Sequence, residues 1–248
     1  MSGLWAGVLF ASLAACGNVI GGLALLLRRQ WSPRALKAAL AFGGGFMLAA
    51  AMLAMVPESL ELDPQWGPAL IVLGYMTVHF LEHVVGTHYH FAGDRHGPDS
   101  AVISGTVTTA AMFAMLVHTF FDGVAIGSAF VVGERLGLVV FLAVILHKIP
   151  AGFAMSTVAH AGGATRGRSF LAAVLLGAGT VLGSLALASA GRLAPYAVPL
   201  SAGTLIHVAA SDLIPEVNEG ESWPITATVI AGGVVFLGLM LLMGPTLH

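Results

Sequence analysis

The chain has 248 residues, 57% of them hydrophobic and only 9% charged, with a formal net charge of −2. A soluble domain usually carries about 25% charged residues, so there is too little charge here to coat one of this size. A mean hydropathy of +0.91 and the lack of any basic excess disfavour a cytosolic enzyme, a disordered tail and a nucleic-acid binder, and leave a polytopic membrane protein.

A crossing helix needs about 20 apolar residues. Runs bounded by charge, Pro or Gly clusters predict eight, over residues 4–27, 37–57, 68–85, 104–132, 136–160, 170–190, 195–217 and 224–244, within one transmembrane domain covering 1–248. Open sheets cannot span lipid, and no ten-residue alternation suggests a barrel, so the expected class is an all-α bundle. Span one holds the only cysteine, Cys16, which excludes a disulfide framework and a thiolate zinc knuckle. The stretch Leu13-Ala14-Ala15-Cys16 faintly resembles a lipidation box. Residues 1–7 carry no Lys or Arg, however, and the apolar run continues to Leu27, so the first helix is read as retained.

The loops after spans one, three and five carry Arg28, Arg29, Arg34, Lys37, Arg95, Arg166 and Arg168; the even-numbered loops carry only Arg135 and Arg192. The positive-inside rule places the odd loops in the cytoplasm, among them the histidine-containing loop 86–103, and both termini outside. Span two ends in Pro57-Glu58 and span seven in Pro215-Glu216, and the two cross in opposite directions. They are candidate halves of an inverted repeat flanking spans four and five.

An ionisable residue near the bilayer centre costs about 2.5–3.5 kcal/mol even on the lenient insertion scale, so it must face the bundle interior and find partners. Span four has His118 near its midpoint and Asp122 four residues on, one turn along the same helical face. His147 sits at matching depth on the antiparallel neighbour. Imidazole and carboxylate suit Zn²⁺ and neighbouring divalent ions, and three such ligands leave one position open. An open site without thiolates fits an ion that must leave again. The bland alternative is a set of interhelical hydrogen bonds, with Asp122 and Lys148 as a buried ion pair. Pro150, one turn past His147, frees backbone carbonyl groups near the site.

Span seven adds His207 and Asp212, and span three ends with His79, Glu82 and His83. In the cytoplasmic loop, His88, His90 and His96 are candidates for loose metal capture after exit. Outside, Glu58, with Glu61 and Asp63, would raise the local cation concentration.

At these residues the sequence resembles the ZIP (Zrt/Irt-like) family of divalent metal transporters. Span four reads His118-Thr119-Phe120-Phe121-Asp122-Gly123, close to the family's His-x-x-x-acid-Gly pattern. Span five reads His147-Lys148-Ile149-Pro150-Ala151-Gly152, and span seven ends Asp212-Leu213-Ile214-Pro215-Glu216, like the family's Asp-x-x-Pro-Glu. Glu82-His83 matches a pair seen at the end of the third span. The resemblance implies eight spans in a 3+2+3 inverted-repeat arrangement with outward termini. It carries over one metal site, His118, Asp122 and His147. Many members build a second site beside it, but here Thr119, Lys148 and Ala151 stand at three of its positions.

The expected function is passage of a divalent metal, Zn²⁺ foremost with Cd²⁺, Fe²⁺ or Mn²⁺ as alternatives, into the cytoplasm through that midplane site. No organic cofactor and no enzymatic step are expected. Glu58 would act as outer attractor and Asp212 and Glu216 as exit ligands, with His207, Glu82 and His83 as inner contributors. The ammonium of Lys148 would occupy the space of the absent second ion, weaken dication binding and help release. A membrane-embedded zinc hydrolase is the competing reading, although span five has no His-Glu-x-x-His helix. The expected setting is a bacterial-type inner membrane, and the oligomeric state is open, a homodimer included.

Overall fold

The computed structural model describes residues 3–27, 32–84, 105–218 and 223–243. Among them all regular structure is helical, in eight continuous rods. These are α1 (Gly3–Leu26), α2 (Pro33–Ala50, continuing through a π-turn at Ala51–Met55 into Val56–Leu62), α3 (Gly67–Val84), α4 (Gly105–Val132) and α5 (Glu134–Ala161). Then follow α6 (Arg166–Ser189), α7 (Ala194–His207, a π-turn at Val208–Leu213, then Ile214–Asn218) and α8 (Trp223–Met243). Each apolar run read from the sequence coincides with one rod. In lipid this is the expected answer, because a helix pairs its backbone groups internally.

Seven rods are long and apolar enough to cross a membrane. The eighth, α3, has a shorter apolar stretch among the described side chains, Gly67–Leu81. The protein is an integral membrane protein with a helical bundle. Large apolar side chains such as Trp5, Leu182, Trp223 and Leu242 are exposed on its outside, as a lipid-facing surface requires.

Short local devices close the turns. Asp63 accepts hydrogen bonds from the Gln65 and Trp66 amides at 3.1 and 2.9 Å and so turns α2 into α3. A lone residue, Gly133, separates α4 from α5 and forces them antiparallel. Gly163, with φ of 91°, ends the turn after α5, and the Thr165 side chain accepts from the Arg168 amide to cap α6.

The two π-turns have one cause. Each lies directly before a proline, Pro57 or Pro215, which has no N–H to donate and whose ring would strike the carbonyl four residues back. Widening the helix by one residue relieves that clash; Val56 donates to the Ala51 carbonyl and Ile214 to the Ala209 carbonyl.

Helices α1, α4, α5 and α6 pack on one another. Around them α2 pairs with α8, α3 with α7, and α2 with α7, while α2 touches α5 and α7 touches α4. Four of these crossings are made by two glycines that each face the partner's backbone: Gly21 with Gly152, Gly123 with Gly183, Gly45 with Gly232, and Gly74 with Gly203. A methyl group at any of them would run into a carbonyl oxygen. Close approach of this kind replaces the hydrophobic drive that is missing between helices in lipid. The central apolar cluster joins both sets through Met47, Ala54, Ala125, Val140, Val144 and Leu205.

Candidate metal centre

Helices α4 and α5 meet antiparallel through Gly133, so a residue halfway along α4 faces one halfway along α5. That places His118 and Asp122 opposite His147 and Lys148. The carboxylate oxygen Oδ2 of Asp122 lies 3.4 Å from His118 Nε2 and 3.4 Å from His147 Nε2. The two imidazole rings stand edge to face, centroids 5.7 Å apart. Donor atoms of all three residues fall within 4.8 Å of one another. With zinc–ligand bonds of about 2.0–2.1 Å, the edge of a tetrahedron is about 3.3 Å, so the two separations from Asp122 match that edge.

The site is dry. Asp122 is 3% exposed and His147 2%. Both ring nitrogens of His147 lack a hydrogen-bond partner, although the ring is buried in the protein. An orphaned buried imidazole is costly unless something else uses its lone pair. A divalent cation would do so.

Lys148 complicates the picture and explains part of it. Its ammonium is fully buried and donates to Asp122 Oδ2 at 2.7 Å, the same oxygen that the two imidazoles approach. The ion pair that the bland reading expected is therefore present, and the ligand cluster is present around it. Gly17 of α1 packs against the base of the lysine side chain and closes the site from that side.

The remaining sequence-singled residues separate into groups. Thr119 is buried, but its hydroxyl donates to the Leu116 carbonyl at 3.1 Å and packs toward Gly179 of α6, so it is committed elsewhere. Ala151 is buried and brings no donor atom. Glu58 is half-buried at the end of α2 and Glu216 is buried at the end of α7. His207 comes together with His79 (Nε2 to Nδ1, 3.3 Å) and with Asp212 (Nδ1 to Oδ2, 3.6 Å). Glu82 and His83 lie in the last turn of α3, where only the backbone is described. The histidines at 88, 90 and 96 lie outside the described residues.

Sequence reading noted His79 without giving it a role, and it passed over Asn18. Asn18 is fully buried on α1, its backbone lies against Gly152, and its amide nitrogen and oxygen have no partner. The available signal was an asparagine inside an otherwise apolar run.

Comparison with known proteins agrees with the chemistry of this centre. The chain is 34% identical over 164 residues to zinc transporter ZIP9 of Micropogonias undulatus, covering 60% of this chain and 51% of that protein. It is 32% identical over 160 residues to zinc transporter ZIP9-B of Xenopus laevis, covering 60% and 52%. To the human zinc transporter SLC39A7 it is 28% identical over 153 residues, covering 56% and 32%. The chain thus spans about half the length, or less, of these relatives. The profile described as ZIP zinc transporter matches residues 96–244, which contain α4 to α8 and every donor of the α4–α5 cluster. The chain belongs to the ZIP zinc transporter family.

Proposed function

We propose that the protein carries a divalent metal, Zn²⁺ foremost, across the membrane into the cytoplasm, and that His118, Asp122 and His147 hold the ion at mid-membrane. The observation that carries this reading is the convergence of three donor atoms within 4.8 Å of one another in a buried site where the ring nitrogens of His147 have no hydrogen-bond partner. Nothing in the cluster or among the relatives favours the hydrolase alternative; the relatives are zinc transporters by name. Cd²⁺, Fe²⁺ and Mn²⁺ suit the same donors and are secondary substrates in this reading.

In the reading, eight spans form a 3+2+3 inverted repeat with both termini outside the cytoplasm and the chain in the plasma membrane. The packing supports it. Exchanging α1 with α6, α2 with α7, α3 with α8 and α4 with α5 returns the same main helix contacts. The interval from Pro57 to Pro215 also separates Gly45 from Gly203 and Gly74 from Gly232, so proline breaks and glycine crossings recur in register. Under this arrangement Glu58 stands at the outer mouth, Asp212 and Glu216 lie on the inner side, and the histidines at 88, 90 and 96 receive the ion in the cytoplasm.

Lys148 acts as the resident counter-ion of Asp122. An incoming dication must displace the ammonium from Oδ2, and the ammonium's return helps to expel the ion. This keeps a buried carboxylate from ever standing alone, which would cost several kcal/mol. It also argues for one ion at this centre.

The test is zinc flux into liposomes containing the purified chain, with His118→Ala beside it. Saturable uptake by the unaltered chain and its loss in the variant are expected. Equal uptake by both would remove the α4–α5 cluster from the pathway.

A further inference from the structure

A second group of donors lies between α3 and α7, and it differs from the first in being open on one side. His207 is 1% exposed, Asp212 is 27% exposed and His79 is exposed. His79 Nδ1 and His207 Nε2 are 3.3 Å apart, the edge length, about 3.3 Å, of a zinc tetrahedron. Tyr75, one turn before His79 on α3, braces both rings. It stacks over His79 at 6.4 Å between centroids and stands edge-on to His207 at 4.8 Å. Its hydroxyl shares a 2.8 Å hydrogen bond with Ser211 Oγ.

Asp212 completes the group from behind. Its carboxylate lies 3.6 Å from Nδ1 of His207, the ring nitrogen turned away from His79. A carboxylate placed there favours the tautomer with the proton on Nδ1 and turns the lone pair of Nε2 toward His79, with whose Nδ1 it shares a hydrogen bond that an ion would replace. The π-turn at Val208–Leu213 makes this possible. It lies between His207 and Pro215 and adds a residue to the turn, which alters the angular step from His207 to Asp212.

We infer that His79 and His207 form a second, transient zinc site between the α4–α5 cluster and the inner side, with Asp212 positioning His207 rather than binding the ion as its principal ligand. The inference rests on the transport reading for its role, but not for its existence as a metal site. Two imidazoles and open coordination positions hold zinc less tightly than a site that also has a carboxylate ligand. A weaker hold of that kind suits a group that must pass its ion onward. It also gives His79 a function.

The experiment uses the full chain in lipid nanodiscs, with His88, His90 and His96 changed to Ala so that the loop does not contribute. Zinc bound per chain is measured by equilibrium dialysis in this background, in a variant that also carries His118→Ala and His147→Ala, and in a third that adds His79→Ala. The second protein should retain one zinc that the third loses, with two nitrogen ligands from imidazole in its X-ray absorption spectrum. His207→Gln, which keeps a polar side chain of similar volume, should abolish the same zinc, and melting curves confirm that each variant is folded. Loss of all zinc from the second protein, or retention by the third, overturns the inference. Zinc flux by the unaltered chain is followed in parallel. Absent flux with the second zinc present would defeat the transport reading and leave the site standing.

Discussion

Two histidine–carboxylate groups lie in this bundle, and they solve the problem of a charge among apolar helices in opposite ways. In the α4–α5 group Asp122 is buried and has a lysine ammonium 2.7 Å away. In the α3–α7 group Asp212 is 27% exposed and faces an imidazole at 3.6 Å instead. Coulomb attraction at about 4 Å is worth about 4 kcal/mol at an effective dielectric of 20 and about 1 kcal/mol in water. The closed carboxylate therefore needs a resident cation, which Lys148 supplies, whereas the more exposed one has only an imidazole beside it. In the transport reading the ion is held firmly at the first group and lightly at the second.

Removing the charge at the closed site should have the largest effect. Asp122→Asn strands a fully buried ammonium and should cost about 3–5 kcal/mol of stability, together with essentially all zinc flux. Thermal unfolding in nanodiscs and liposome uptake measure both. Unchanged stability would mean that Lys148 finds another partner and that the contrast between the groups is false.

Next comes the lysine itself. Lys148→Asp replaces the cation with a further carboxylate and should raise zinc bound per chain above that of the native protein. No increase on dialysis would show that Lys148 does not occupy an ion's place. At the open site Asp212→Asn removes the group behind His207, and a loss of about 10–100-fold in affinity at the α3–α7 site is expected, with binding at the α4–α5 site retained. Acid has the smallest effect and touches both groups. Imidazole must shed its proton to bind metal, so zinc uptake should fall as external pH is lowered. Uptake that stays flat down to the pH at which the protein unfolds would exclude imidazole as an essential ligand.

The halves of the bundle make a related point. The helices α2 and α7 share a π-turn and a Pro-Glu step, yet the positions of α2 that match His207 and Asp212 hold Ala49 and Ala54. The backbone device is common to both and the chemistry belongs to one. The π-turn serves packing around proline in both helices, and donors are placed on it in only one.

Much of this was legible in the sequence, because lipid simplifies the rules. Apolar length alone located the helices, since no other unpaired backbone survives there. Four-residue spacing alone put His118 and Asp122 on one face, and the short turn at Gly133 made His147 their neighbour. What the sequence did not resolve was how each polar group is spent. Thr119 turned out to bond its own helix, Lys148 to bond the oxygen that two imidazoles approach, and His79 to meet a residue far away in the chain. Those outcomes depend on which helices cross and at what distance, and in this protein glycines facing partner backbones decide the crossings. Helix identity is a local property of twenty residues, but a hydrogen bond or a ligand distance is set only once two helices have met.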